Sequence, residues 1–330
     1  MIRRAAFLKS TLAASAAGAG FATPLLARAE TALKMNLPVG PDDPMCVTAR
    51  HFADLVEKKS GGAVKIQIYY SGALGSQQAS ISGVQTGVID FTLQTTAWLE
   101  PIVTHVQALD LPFLFANDAA AEKVLDGDVG RDLSDELAAK GIVVVLWGTN
   151  GWREFEFVTN RVTKPADMQG LKIRIQRGPL YVSMIKALGA VPVVIDISET
   201  YLALQQKVVN GLDIPAGTVL SLKYDEVIKY VAMTRHLYNP APIIMSKVKF
   251  DALPADQRRA IQDAGRETLP WTRDLYRTDE RKSVTILKGK GITVAEVDHD
   301  AFKHAMMPVY DDLKQQIGAP FVDRVMRAAG

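Results

Sequence analysis

The chain has 330 residues, 48% of them hydrophobic, with 38 Lys and Arg against 36 Asp and Glu. No basic cluster is interleaved with aromatics, which excludes a nucleic-acid-binding surface. Cys46 is the single cysteine, so no intramolecular disulfide can form, and stability must come from a core that a chain of this length builds amply, across two domains.

Residues 1–29 carry the features of a cleaved export signal. Arg3, Arg4 and Lys9 form a positive n-region, 11–26 is apolar and small, and Ala27-Arg28-Ala29 is an A-x-A cleavage site. Gly18, Gly20 and Pro24 interrupt the apolar stretch, which is too short and weak to span a membrane. Arg3-Arg4 ahead of Phe7-Leu8-Lys9 approaches a twin-arginine signal with one residue too many, so the Sec and Tat routes both stay open. Cleavage removes four basic residues and no acidic one, turning a net charge of +2 into −2. A soluble periplasmic protein is expected.

The mature chain opens with a strand at 33–37, a helix at 47–59, a strand at 64–70, a helix at 77–86 and a strand at 89–94. This β-α-β-α-β succession predicts a mostly parallel sheet covered by helices. A helix over 119–140 precedes a buried strand at 142–147 and a strand of alternating exposure at 153–158. In 170–176, Leu171, Ile173 and Ile175 alternate with Lys172 and Arg174, the period of a half-buried strand. It runs through Arg177-Gly178-Pro179 into a helix at 180–188, a junction where α/β proteins place ligands. A short strand at 193–195 leads to a helix opened by Ser198 and stopped by Gly211, with Leu202, Leu204, Val208 and Val209 on or near its inner face. A helix over 255–289 contains Pro270, which predicts a kink or break near 268–269. A last strand at 292–297, a helix at 301–316 and a short C-terminal helix complete the chain. No internal repeat or low-complexity linker follows the leader.

Arg174 is the residue whose setting points to chemistry, because a guanidinium offers a carboxylate a rigid fork of donors. No G-x-S-x-G elbow, H-E-x-x-H or glycine-rich phosphate loop is present, and His51, His105, His236, His299 and His304 are scattered. A secreted α/β enzyme therefore has no visible machinery, although paired carboxylates could be hidden among common Asp and Glu.

The block from Gly170 through Ala187-Leu-Gly-Ala-Val-Pro192 to Asn210-Gly-Leu-Asp-Ile214-Pro215 resembles the solute-binding proteins of tripartite ATP-independent periplasmic (TRAP) transporters. Leu74-Gly75, Leu111-Pro-Phe-Leu-Phe115, Asn150-Gly-Trp-Arg153, the 224–238 segment and Leu253-Pro254 extend the resemblance over essentially the whole mature chain. It implies an α/β fold of the type II periplasmic-binding-protein kind: two lobes around a cleft, joined by crossing strands and a long helix. Lobe I would comprise 30–151 and 240–279, and lobe II 152–239 and 280–330. It implies further that Arg174 clamps a substrate carboxylate, assisted by Arg153, whose alternative is an exposed residue paired with Glu154 or Glu156. Many relatives carry an asparagine where this chain has Ile214, and Ile197 replaces a frequently aromatic position. With Thr95, Trp98 and Trp152 these residues predict an arginine clamp facing an apolar, Trp-containing wall. Asp213 would either join a bridging cation or be a capping or solvent-facing aspartate. The expectation is an organic-acid binder, taking a monocarboxylate (keto, hydroxy or aromatic) in preference to a C4-dicarboxylate. It would act as a monomer without cofactor or metal and deliver its ligand to membrane permease subunits, or alternatively to a sensor.

Overall fold

The structure, a computed structural model, describes residues 30–330. The expected export signal lies outside the described residues.

The first α/β unit follows the expected order: β1 (Thr31–Asn36), α1 (Pro44–Lys59), β2 (Val64–Tyr69), α2 (Gln77–Thr86) and β3 (Phe91–Leu93). Asp43 caps α1 by accepting from the Met45 amide, with Pro44 in the first turn where its missing N–H costs nothing. Gly87 ends α2 at φ 78°, the left-handed conformation that favours glycine. β1 pairs in parallel with β2 and β3.

Short 3-10 turns at 96–98 and 104–110 lead to α3 (Asp118–Asp126) and α4 (Asp128–Ala139). The single helix expected over 119–140 is thus two. Gly127 is extended at the junction, and a Cβ on Gly130 would sit 1.9 Å from the Leu125 carbonyl oxygen, so only glycine permits this break.

β4 (Ile142–Phe157) fuses the two strands expected at 142–147 and 153–158. Bulges absorb Asn150-Gly151, with Gly151 at φ 85°. The predicted alternation of exposure at 153–158 is absent over 153–157, which is wholly buried, because β4 is central and covered on both faces.

β5 (Lys172–Ile175), α5 (Pro179–Ala187), β6 (Val191–Val194), α6 (Ile197–Gln205) and β7 (Gly211–Ile214) build a second parallel unit, β5 lying between β6 and β7. α6 stops short of Gly211 because Lys207 turns to φ 57° and the Val208 amide bonds back to the Ala203 carbonyl. Leu202, within α6, and Val208, beyond its end, both expected near the inner face, are exposed.

The remaining elements are α7 (Ala216–Ser221), β8 (Tyr230–Ser246), α8 (Lys247–Ala252), α9 (Ala255–Gly289), β9 (Thr293–Ala295), α10 (His299–Met306), α11 (Pro308–Ile317) and α12 (Ala319–Ala329). α9 runs through Pro270 without a break. An interior proline costs about 3 kcal/mol, and packing against α1, β4, α7 and β9 holds the helix on both sides of it. Pro308 instead splits the helix expected over 301–316.

All nine strands form one sheet in the order β2-β1-β3-β8-β4-β7-β5-β6, with β9 added to β8. The long antiparallel pair β4/β8 is shared. Its 142–149 and 240–246 ends join β3, while 153–157 and 230–237 join β7 and β9. The chain therefore crosses between two α/β halves along β4 and β8, and α9 touches both. Of the C-terminal helices, α10 and α11 pack on β8 and α5, whereas α12 packs on α3 of the first half.

Gly211 is a sharp test of the β4/β7 seam, because a Cβ there would lie 2.3 Å from the Glu156 carbonyl oxygen. Gly211→Ala is expected to destabilise by about 1–3 kcal/mol. Gly289→Ala, in a helix with nothing within 4 Å, should stabilise by about 0.5 kcal/mol. Urea midpoints of the two variants check the contrast.

Candidate functional site

A cavity open to solvent lies between the two halves. Pro38, Val39, Met45, Gln77 and Thr95 line it from the first half, and Arg153, Arg174, Gln176, Ile197, Ile214 and Thr218 from the second, with Asn150 at the crossing. Three hydrogen bonds draw the halves together: Thr95 Oγ1 donates to Gln176 Oε1 at 2.9 Å, Arg177 Nη1 to Gln78 Oε1 at 3.2 Å, and Ser221 Oγ to Asp43 Oδ2 at 2.6 Å.

β5 presents Arg174. Its side chain is 2% exposed, and Nε donates to the Ile195 carbonyl at 3.0 Å, in the chain just beyond β6. No ion pair reaches it among the described residues, so its terminal nitrogens remain available at the cavity. Burial is the largest influence on this guanidinium and holds its pKa below the ordinary arginine value; Tyr224 opposes the shift, and Arg153 adds to it.

Arg153, on β4, is buried but not solitary. Its Nε donates to Asp213 Oδ2 at 2.8 Å, Nη2 donates to the Asp213 carbonyl, and the guanidinium lies 5.3 Å from the Tyr181 ring centroid. Burial alone would lower its pKa; Asp213, with Tyr181 and Glu156 behind it, reverses the direction. Burial likewise pushes Asp213 toward neutrality, and Arg153 overrides it, keeping the carboxylate below its ordinary range. His236 Nε2 stands 3.7 Å from Asp213 Oδ2, too far for a hydrogen bond. The His236 ring is fixed by Thr234 at 2.8 Å and by stacking 4.2 Å from Phe155. Among the described residues, Arg153 and Arg174 are the only charged side chains lining the cavity, and Asp213 already compensates one of them.

Thr95, Arg153, Arg174, Ile197 and Ile214 are thus brought together as the sequence suggested, while three other candidates lie elsewhere. Trp98 packs into the main core, carried inward by the 96–98 turn. Trp152 lines a separate small pocket behind the crossing and donates to Asp118 at 3.1 Å. The charged groups of that second cavity, Asp279 and Glu280, are acidic, unsuited to a carboxylate. Asp213 is neither solvent-facing nor a free cation ligand, because Arg153 occupies it, and Arg153 pairs with Asp213 instead of Glu154 or Glu156. The expected wall keeps its apolar part in Pro38, Val39, Met45, Ile197 and Ile214, but it contains no tryptophan, and amides and hydroxyls are interspersed with it. Gln77, Asn150, Gln176 and Thr218 were not anticipated. Only Gln176 had a readable cue, standing two residues after Arg174 on one strand face.

A cleft between two α/β halves, with a buried guanidinium that has no ion-pair partner among the described residues, fits a solute-binding protein. The chain belongs to bacterial extracellular solute-binding protein family 7, whose model matches residues 35–316. It is 34% identical over 292 residues to the 2,3-diketo-L-gulonate-binding periplasmic protein of Escherichia coli, covering 87% of this chain and 88% of that one. It is 30% identical over 326 residues to the C4-dicarboxylate-binding periplasmic protein of Rhodobacter capsulatus, covering 97% of each. A solved sugar-acid-binding protein of Advenella mimigardefordensis in complex with galactonate superposes with a TM-score of 0.88 at 30% identity, covering 91% of this chain and 98% of that one. The family serves TRAP transport in the periplasm, and its members are not enzymes. No helix among the described residues is long and apolar enough to cross a membrane.

Behind Arg153 lies a buried acidic pair. Burial pushes the Asp110 carboxyl up to about 7, opposed by the Thr96 hydroxyl and by Arg153. Burial pushes Glu100 well up too, and Asp110 adds to it. The folded chain then holds a proton on Asp110 that the unfolded chain, at its ordinary 3.8, has released. That contribution to stability is complete below pH 3.8 and is lost as pH rises toward 7. In Asp110→Asn, where Thr96 can still donate, the fall in Tm between about pH 4 and pH 7 should be shallower than in wild type. Parallel profiles would assign the slope to other groups.

Proposed function

We propose that this chain is exported, closes on a hydroxylated monocarboxylate and delivers it to the membrane subunits of a TRAP transporter. The observation that carries the reading is Arg174, a buried guanidinium without a carboxylate partner among the described residues, at a cavity where Arg153 is already neutralised by Asp213. One uncompensated positive charge calls for one carboxylate. A second carboxylate on the ligand would be desolvated opposite neutral amides, hydroxyls and aliphatic side chains, which is costly. Hydroxyl groups, by contrast, find partners among Gln77, Asn150, Gln176 and Thr218. The names of the relatives span both a keto sugar acid and a C4-dicarboxylate, so the preference proposed here rests on charge counting at this cavity.

The test is a thermal-shift panel on the protein from Glu30 onward. A ligand at a thousand times its Kd should stabilise the fold by about 4 kcal/mol. Hydroxy or keto monocarboxylates are expected to give the largest shifts, with succinate binding at least about tenfold more weakly. Arg174→Ala should weaken binding by at least about a hundredfold, consistent with truncating one partner of a buried charge pair. Its ligand-free form should melt no lower than wild type, because an uncompensated buried charge is removed. Tighter binding of succinate than of the monocarboxylates, or shifts that survive Arg174→Ala, would overturn the reading.

A further inference from the structure

Among the amides at the cavity, Gln176 stands apart. It is 6% exposed, its Oε1 is satisfied by the Thr95 hydroxyl at 2.9 Å, and its Nε2 is buried with no hydrogen-bond partner. Gln77 differs, since its Nε2 already donates to Gln94 Oε1 at 2.9 Å, and Gln94 in turn donates to Thr92 at 3.1 Å. A buried amide nitrogen without an acceptor is an unfavourable arrangement unless something in the site supplies one. Gln176 follows Arg174 by two residues, one residue past the end of β5, and lines the same cavity, at most about 7 Å away along the chain. Ile195 holds the Arg174 side chain, and Thr95 holds that of Gln176, so both donors are pre-positioned.

We infer that Gln176, oriented by Thr95 across the cleft, is a specificity-determining residue that donates to a hydroxyl or keto oxygen of the ligand near its carboxylate. This rests on the reading of Arg174 as the carboxylate anchor. Thr95 belongs to the first half and Gln176 to the second, so the amide is held in this orientation only when the halves meet. The ligand's oxygen is therefore read in the closed form. An acid without that oxygen leaves Nε2 unpaired, and a site built to hydrogen-bond an oxygen rejects analogues that lack one far more strongly than an apolar pocket rejects a size difference.

Calorimetric titration of the protein from Glu30 onward tests this with two matched pairs, D-gluconate against hexanoate and D-erythronate against butyrate. Wild type should prefer the hydroxylated member of at least one pair by tenfold or more. In Gln176→Leu that ratio should fall below about threefold, and in Thr95→Val it should fall to an intermediate value. Should Gln176→Leu fail to melt cooperatively, the ratio in Thr95→Val decides. An unchanged ratio in the folded variants, or no hydroxylated acid bound by wild type, overturns the inference. Arg174→Ala separates the two claims. If it abolishes binding while Gln176→Leu keeps the wild-type ratio, the anchor stands and the specificity role falls. If Arg174→Ala still binds with the wild-type preference, the anchor fails.

Discussion

The antiparallel pairing of β4 with β8 is the constraint on which the molecule depends, since both halves grow from its two ends. A sixteen- and a seventeen-residue strand run side by side through the middle of the sheet. Two of the three irregularities in the ladder lie beside residues of the site; the third, between Val144 and Leu146, faces α9 at Gly265. The bulges between Thr149/Trp152 and Arg153/Phe155 bracket Arg153 and place Asn150 at the cavity. On the opposite strand, Arg235 takes a left-handed φ of 41° just before His236. A regular ladder would give a stiffer crossing, and it would turn Arg153 differently with respect to Asp213. Irregularity here is a positioning device.

Electrostatics at the crossing follow from that placement. The strand pair buries Arg153, Glu154, Glu156, Asp213 and His236 in one region, with Glu100, Asp110 and Tyr181 packed beyond. Such density of ionisable groups in a low-dielectric interior is tolerable only if most are neutral or paired. Arg153 and Asp213 pair, while burial pushes Glu100, Glu154 and Glu156 toward their protonated forms. The outcome is a largely neutral background behind the cavity, against which Arg174 has no direct ion-pair partner among the described residues. Asp213 and Asp196 act on it only from beyond ion-pair distance, so its terminal nitrogens stay open to a ligand.

Much of the fold could be read from the chain. The first β-α-β-α-β unit, the Arg174 strand and the extent of α9 all follow from periodicity and composition. What could not be read were places where tertiary packing overrides a local breaker, or where a local breaker overrides periodicity. Asn150-Gly151 has the chemistry of a turn yet lies inside β4, because β8 supplies a continuous partner. Pro270 lies inside α9 because neighbours clamp the helix on both sides. Gly127 and Lys207 act in the other direction, ending helices that the apolar pattern would have prolonged. At the site, Arg174 was legible because a charged residue on an otherwise apolar strand is conspicuous. The partnership of Arg153 with Asp213 was not, since sixty residues separate them. Trp98 misled for a physical reason as well: aromatic residues near a site are common, but a single 3-10 turn decides whether they face cavity or core.

In the proposed function, closure and ligand binding are linked through the same charge. Bringing the halves together removes water from Arg174 before anything in the protein replaces it, so the closed form is disfavoured until an anion arrives. A carboxylate that satisfies the guanidinium favours closure by the difference between its interactions in the two forms, and by no more than that. Groups that meet only in the closed form, such as Thr95 with Gln176 and Gln78 with Arg177, add to this difference without regard to the ligand. Residues that touch both ligand and opposite half make closure depend on ligand chemistry. In the proposed reading Gln176 occupies that position, whereas Arg174 senses charge alone. A binding protein that must present a closed surface to a membrane partner needs both: charge to drive closure, and a directional donor to decide which anion completes it.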